Sequence, residues 1–275
     1  MRTPKVSVLM GAYNRAHFLD RAVEGLQKQS FEDWEMVITD DGSADRTPEV
    51  AGAWPRKDPR IVYLRHDQNV GISMNYNRGF ARTRGEYIAM LDDDDLWCDQ
   101  DKLRKQVDFL DRNRDYTGCG GGLIVVWPDG RERYRYLKPK SDAEIRKLML
   151  FSNPMANSTT LFRRQAGEQV GWYDATMRYS GDRDFWLKIG LIGKLFNFPE
   201  YFSYYTMGDN NTSILHMRPH LKASLEIMKR YKSDYPGYPL ALTINTAQYW
   251  YSFLPKPVIR QVHAAVARLK RATVR

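Results

Sequence analysis

Residues 87–95 read Tyr-Ile-Ala-Met-Leu-Asp-Asp-Asp-Asp. Five apolar residues are too few for a helix and suit a strand buried on both faces. The run ends abruptly in four carboxylates. Three similar runs precede it: Val6-Ser-Val-Leu-Met10, Trp34 to Thr39, and Ile61-Val-Tyr-Leu64. Between them lie helical stretches, with Phe18, Ala22, Val23 and Leu26 at helical spacing, Thr47-Pro48 as a cap and first turn, and residues 71–81. After the acidic run, Leu103, Val107 and Leu110 mark another helix. Strands alternating with helices predict right-handed βαβ units and a mostly parallel α/β sheet with flanking helices. In such sheets ligands bind beyond the carboxyl ends of the strands. Asp40-Asp41-Gly42-Ser43 and Asp92 to Asp95 both fall there.

Four adjacent carboxylates repel one another and are tolerated where they hold a cation. Mg2+ or Mn2+ fits, because both take hard oxygen ligands, one or two of them carboxylates, and fill the rest from water and substrate phosphates. On an extended segment Asp92 and Asp94 point to one side. The competing account is a solvated acidic loop with an aspartate capping the next helix. Gly42 lets the chain turn sharply after Asp41, whose carboxylate can accept a nucleobase N–H; an ordinary Asp-Gly turn is the plainer alternative. Tyr13, in Ala12-Tyr13-Asn14 after the first strand, can stack on a base or simply pack at a strand end. No glycine-rich phosphate loop is present.

Beyond residue 115 the pattern is less regular. Leu123 to Trp127 and Arg131 to Leu137 predict a strand pair around Pro128-Asp-Gly130. Arg131, Arg133 and Arg135 would share one face of that strand, as a basic surface for a phosphate-bearing acceptor or as a charged, protected edge. Ser141 to Glu144 is a capping box, and residues 184–192 read as a helix. Beyond about residue 215 the chain reads as helical, broken near 235–239 and 255–257.

Together the motifs are specific. "VSVLMGAYNRAHFL" (6–19), "FEDWEMVITDDGSADRT" (31–47), "NVGISMNYNRGFA" (69–81), "GEYIAMLDDDDLW" (85–97), "NSTTLFRR" (157–164), "VGWYD" (170–174) and "GDRDFWLKI" (181–189) resemble the inverting family 2 glycosyltransferases of the GT-A fold, over roughly residues 4–215. The resemblance implies a sugar transferred from a nucleotide diphosphate donor, UDP being the family's commonest choice, to a hydroxyl of a glycan or lipid-linked acceptor in cell-surface polysaccharide or glycoconjugate synthesis. It implies a nucleoside pocket lined by Ala12, Tyr13 and Asn14, base reading by Asp41, and donor and metal binding by Asp92, Asp93 and Asp94, with Asp92 and Asp94 as the Mn2+ or Mg2+ ligands. Asp182 matches the proposed general base, and Asp184 a second acid nearby. The rival readings are a non-catalytic domain on the same fold and a metal-dependent nucleotidyltransferase.

The chain departs from the family pattern at three places. Gly181 stands where Glu is frequent, Tyr76 where Arg often precedes Asn77, and Thr206 and Gly208 in "YYTMGDNNTS" (204–213) replace an Arg and a His. The family's histidine metal ligand is therefore missing, with Asp209 and His216 as the nearest substitutes. The division this implies is a transferase domain over 1–215, with nucleotide (1–115) and acceptor (116–215) halves, and a basic helical extension over 216–275.

Composition narrows the setting. Of 275 residues 43% are hydrophobic and 27% charged, ordinary for a globular protein. No apolar run reaches the ~20 residues of a spanning helix. Cys98 and Cys119 are the only cysteines, too few for a disulfide framework, which suggests a reducing cytoplasm. Net charge is +9, and residues 256–275 carry Lys256, Arg260, Arg268, Lys270, Arg271 and Arg275 without an acid. The basicity is thus mainly a tail property and matches no nucleic-acid reader motif. Val258, Ile259, Val262, Ala265, Val266 and Leu269 form one helical stripe among those charges. Such a helix suits peripheral contact with the inner face of an anionic membrane or packing against the catalytic domain.

Overall fold

The computed structural model describes residues 2–208 and 215–254. The four expected strands are β1 (Val6–Ala12), β2 (Trp34–Asp40), β3 (Ile61–Arg65) and β4 (Tyr87–Met90). They are parallel, with Val6 opposite both Trp34 and Tyr87. Helices α1 (Ala16–Gln27), α2 (Thr47–Lys57), α3 (Ile72–Arg82) and α4 (Lys102–Arg112) connect or flank them.

The sheet does not stop at β4. Short strand β5 (Leu96–Trp97), long strand β6 (Tyr116–Val126), β7 (Glu132–Tyr136), β8 (Leu161–Arg163) and β9 (Lys194–Thr206) extend it. The order is β3-β2-β1-β4-β8-β6-β9-β5, with β7 hydrogen-bonded to β6. β8 enters antiparallel between β4 and β6. One sheet therefore joins residues from both halves of the chain. The hairpin around Pro128 to Gly130 and the Ser141–Glu144 capping box, at the start of α5 (Asp142–Leu148), are both present.

Both faces of the parallel strands are covered, so neighbouring residues in β1 enter different cores. Val8 and Met10 pack with Leu19, Leu26, Met36, Ile38 and Trp54. Leu9 packs on the other face with Val37, Phe80, Phe162, Phe185 and Trp186. The second core also receives Ile227 and Met228 of α8 (Met217–Arg230), Tyr235, and Ala241 of α9 (Tyr238–Tyr251). Helices α6 (Arg164–Val170) and α7 (Gly181–Ile192) complete the described elements. The residue-258 stripe, the break at 255–257 and Asp209 lie outside the described residues. No described helix is long and apolar enough to cross a membrane.

Candidate functional site

The carboxyl ends of β1, β2 and β4 bring three loops together. After β2, Asp40 is wholly buried; it accepts from the Ser43 backbone and hydroxyl at 2.9 and 2.5 Å and from the Tyr63 hydroxyl at 2.7 Å. It shapes the loop. Gly42 has φ +72°, and a Cβ there would lie 2.6 Å from the Gln68 carbonyl carbon, so glycine is required. Asp41 is nearly buried and accepts from the Val70 and Gly71 amides at 2.7 and 3.1 Å. Burial pushes its carboxyl up, opposed by those two bonds.

Asn14 adopts φ 55° and uses its amide oxygen to accept from Ala44 and Asp45 at 2.9 and 3.3 Å. It ties the β1 loop to the β2 loop. Ala12 is buried, whereas the Tyr13 side chain is half exposed over the crevice. The Tyr13 amide donates to Asp93 Oδ2 at 3.3 Å, linking the first loop to the acidic run.

The acidic run is a turn rather than an extended segment: the Asp95 amide donates to the Asp92 carbonyl at 3.1 Å. The sidedness expected of a strand nevertheless survives. Asp93 and Asp95 are 8% and 1% exposed, while Asp92 and Asp94 retain part of their surface. Asp95 accepts from the Thr206 amide at 3.2 Å, and the Thr206 hydroxyl donates to the Asp94 carbonyl at 2.6 Å. Asp92 Oδ1 accepts from Tyr76 at 2.8 Å and from Asn157 Nδ2 at 2.7 Å. Burial pushes all four carboxyls up, Asp94 to about 6, and for Asp93, Asp94 and Asp95 repulsion from neighbours in the run adds to it. Arg15, 4.0 Å from Asp93 and 3.9 Å from Asp94, offsets part of this charge.

Such a cluster is chemically suited to a hard divalent cation. Among the described residues no three Asp, Glu, His or Cys side chains form a ready-made cage.

Asp182 lies in the first turn of α7. Asn153 Nδ2 donates to its Oδ2 at 2.8 Å, and burial pushes its carboxyl up. Its charge reaches Asp92 and lifts that carboxyl further. The start of α7 packs against α3, where a Cβ at Gly181 would lie 2.6 Å from Ser73 Oγ, and α3 also carries Tyr76, the partner of Asp92. Next to Asp182, Arg183 is buried and donates to the Met149 and Leu150 carbonyls at 3.3 and 2.7 Å, anchoring the helix start. Asp184 is buried too, accepting from the Tyr231 hydroxyl at 3.0 Å and lying 3.5 Å from Lys188, which makes it a packing residue. Lys138 donates to the Asn153 carbonyl at 3.0 Å and is pushed down to about 8 by burial, with Asp182 opposing.

The arginine face expected on residues 131–135 is not a free basic surface. Arg131 pairs with Asp129 at 2.8 Å, Arg135 with Glu132 at 2.5 Å, and the Arg133 guanidinium lies 3.7 Å from the Trp127 ring centre. β7 is a charged edge strand. His216 stacks near Tyr179, with ring centroids 5.5 Å apart, and joins no metal-binding group among the described residues. Residue reasoning also passed over Asn153, Asn157 and Ser158. "NSTTLFRR" carried the last two, but their contact with Asp92 is visible only once β8 lies beside β4.

An α/β sheet with carboxylates gathered beyond the ends of its parallel strands is the arrangement expected where a ligand binds at the strand ends. The glycosyl transferase family 2 model matches residues 7–171. The chain belongs to that family and is a glycosyltransferase, which decides against nucleotidyl transfer. It is 28% identical over 219 residues to an uncharacterized glycosyltransferase of Haemophilus influenzae, covering 76% of this chain and 68% of that one. It is 36% identical over 123 residues to TuaG of Bacillus subtilis, whose name assigns it provisionally to teichuronic acid biosynthesis; the match covers 44% of this chain and 48% of TuaG. The fold is the GT-A fold. The mannosyltransferase PcManGT from Pyrobaculum calidifontis, solved with GDP-Man and Mn2+, superposes with TM-score 0.66 at 17% identity, over 98% of this chain and 76% of that one. S. aureus TarS 1–349 with UDP-GlcNAc superposes with TM-score 0.64 at 16% identity, over 90% and 73%.

Proposed function

We propose that the protein moves a sugar, with inversion, from a nucleoside diphosphate donor to a hydroxyl of a glycan or lipid-linked saccharide. The observation that carries this is the packing of the α7 start, which bears Asp182, against α3, whose Tyr76 holds Asp92: a Cβ at Gly181 would lie 2.6 Å from Ser73 Oγ. One carboxylate belongs to the donor side and one to the acceptor side, which is what single-displacement transfer requires.

Ala12, Tyr13 and Asn14 line the nucleoside pocket, Tyr13 offering its half-exposed ring to the base. Asp41 reads a base N–H with the lone pairs its two backbone bonds leave unused. Asp92 and Asp94 hold Mn2+ or Mg2+, and Asp93 braces the loop from beneath. Held there, such a cation would supply positive charge opposite the departing diphosphate. Asp182 takes the acceptor hydroxyl proton, its carboxyl pushed up by burial and so more basic than an exposed aspartate. TarS and PcManGT, solved with UDP-GlcNAc and with GDP-Man and Mn2+, support a nucleotide-sugar donor and a divalent ion. UDP is the favoured base choice, and TuaG's name favours a cell-surface polysaccharide. Residues 1–115 form the donor side, 116–215 the acceptor side, and 216–275 an extension able to meet the inner face of a membrane.

Asp94→Ala is the direct test. The partly exposed side chain packs little, so the variant is expected to fold, to lose transfer, and to bind nucleotide more weakly in Mn2+. Full activity of the variant, or of the native chain in excess EDTA, would refute the assignment.

A further inference from the structure

Asp92 is held unusually firmly for a residue on a loop. The hydrogen bonds from Tyr76 at 2.8 Å and Asn157 at 2.7 Å both end on one oxygen, Oδ1, and the Ser158 hydroxyl also lies against the carboxyl. The donors come from different elements, α3 and the 3-10 turn Asn157–Thr159 that leads into β8. Neither bond uses Oδ2. The Asp92 amide also donates to the Ser158 hydroxyl at 3.1 Å.

Each donor is itself immobilised. The Tyr76 ring is 3% exposed and lies on β1 at Gly11, where a Cβ would be 3.0 Å from its Cζ. Tyr173 packs beside it with ring centroids 5.5 Å apart. Only a glycine at position 11 leaves room for the ring. Asn157 shows what its orientation costs: its buried Oδ1 finds no hydrogen-bond partner among the described residues. Turning the amide over would put that oxygen against the Asp92 carboxylate, so the carboxylate decides the orientation. A buried orphan acceptor is unfavourable for stability alone.

We propose that Tyr76 and Asn157 are positioning residues that saturate Oδ1 of Asp92 and thereby present Oδ2 to a divalent cation. This rests on the reading of Asp92 as a metal ligand. Hydrogen-bond partners of a ligating carboxylate fix its direction and commonly alter metal affinity by about 10-fold or more when removed. Tyr76 here supplies from a neutral hydroxyl what an arginine could supply only by placing another charge beside the carboxylate.

The test is Mn2+ binding to the full chain, followed by electron paramagnetic resonance with Mn2+ alone and with Mn2+ plus UDP. Tyr76→Phe, Asn157→Ala and Asp92→Asn are compared with the native chain. Tyr76→Phe keeps the ring and removes only the hydroxyl; Asn157→Ala reports independently should either variant fold poorly. The expected result is an Mn2+ Kd raised about 10-fold by each of the first two, metal-free thermal midpoints near native, and Mn2+ binding lost in Asp92→Asn. Native Mn2+ affinity in both positioning variants alongside loss in Asp92→Asn overturns the proposal and spares the metal assignment. Native affinity in Asp92→Asn overturns both.

Discussion

At the scale of single residues, the site contrasts groups that build loops with groups left to do chemistry. Asp40 and Asp184 spend their carboxylates on protein partners. Asp182 spends one oxygen on Asn153. Asp182→Asn keeps the shape and loses the basicity. It is expected to leave nucleotide-sugar Kd unchanged and lower kcat by ~10²-fold; parallel losses in both would make Asp182 structural. Away from the crevice, Lys102 is wholly buried, its Nζ 2.8 Å from Gln106 Oε1 and 4.0 Å from the Trp97 ring centre. Burial pushes it down to about 7. Below that pH the native state carries a buried ammonium that the unfolded chain solvates. From about 7 up to the unfolded value near 10.5 the unfolded chain binds the extra proton, so this group makes stability rise with pH. Lys102→Met should therefore stabilise most at low pH. After deducting the stranded Gln106 carbonyl, the gain is on the order of 3 kcal/mol at pH 6, vanishing toward pH 10. Urea melts at pH 6 and pH 9 giving equal gains would show that Lys102 does not titrate in this window.

At the scale of elements, the two ends of the parallel sheet do different work. The carboxyl ends carry the crevice. The amino ends are tied by Glu35, 3% exposed, which accepts from the Ser7 hydroxyl at 2.7 Å, the Arg84 amide at 2.7 Å and Arg84 Nε at 2.8 Å. One carboxylate thus joins β1, β2 and the start of β4. Arg84 is partly solvated, so losing its ion pair does not strand a buried charge. Glu35→Gln is expected to cost about 2 kcal/mol, roughly 5 °C in Tm, with nucleotide affinity unchanged. A changed Kd would mean that the two ends are coupled. The first four strands were legible because each is a short apolar run at the period of a buried strand. β9 was not. Pro199 argues against a strand interior, and the structure accommodates it where the β6–β9 register shifts between Gly120 opposite Asn197 and Gly122 opposite Tyr201. The arginines of residues 131–135 show a related limit: alternation gives a side chain's face, not the Asp129, Glu132 and Trp127 partners that meet it.

At the scale of the whole molecule, the charge is concentrated where the described chain ends. Trp250, Phe253 and Leu254 are exposed at the end of α9 and just after it, immediately before the six basic residues of 256–275. Aromatic residues beside basic ones suit a membrane interface. The full chain is expected to co-sediment with phosphatidylglycerol vesicles at low salt and a chain ending at Leu254 to bind far less, each basic residue adding about 1 kcal/mol. If both remain in the supernatant, the tail does not serve a membrane.

The sequence by itself determined the parallel α/β core, the placing of the acidic runs at its strand ends and the family. These rest on local apolar runs and on motifs read in order, and neither needs knowledge of distant contacts. Only the tertiary structure decided what holds Asp92. Asn157 reaches it because β8 inserts antiparallel beside β4, and Tyr76 because α3 lies over β1. A pairing across 65 residues is set by how strands align and cores close, and a one-dimensional pattern of residue types carries no record of it.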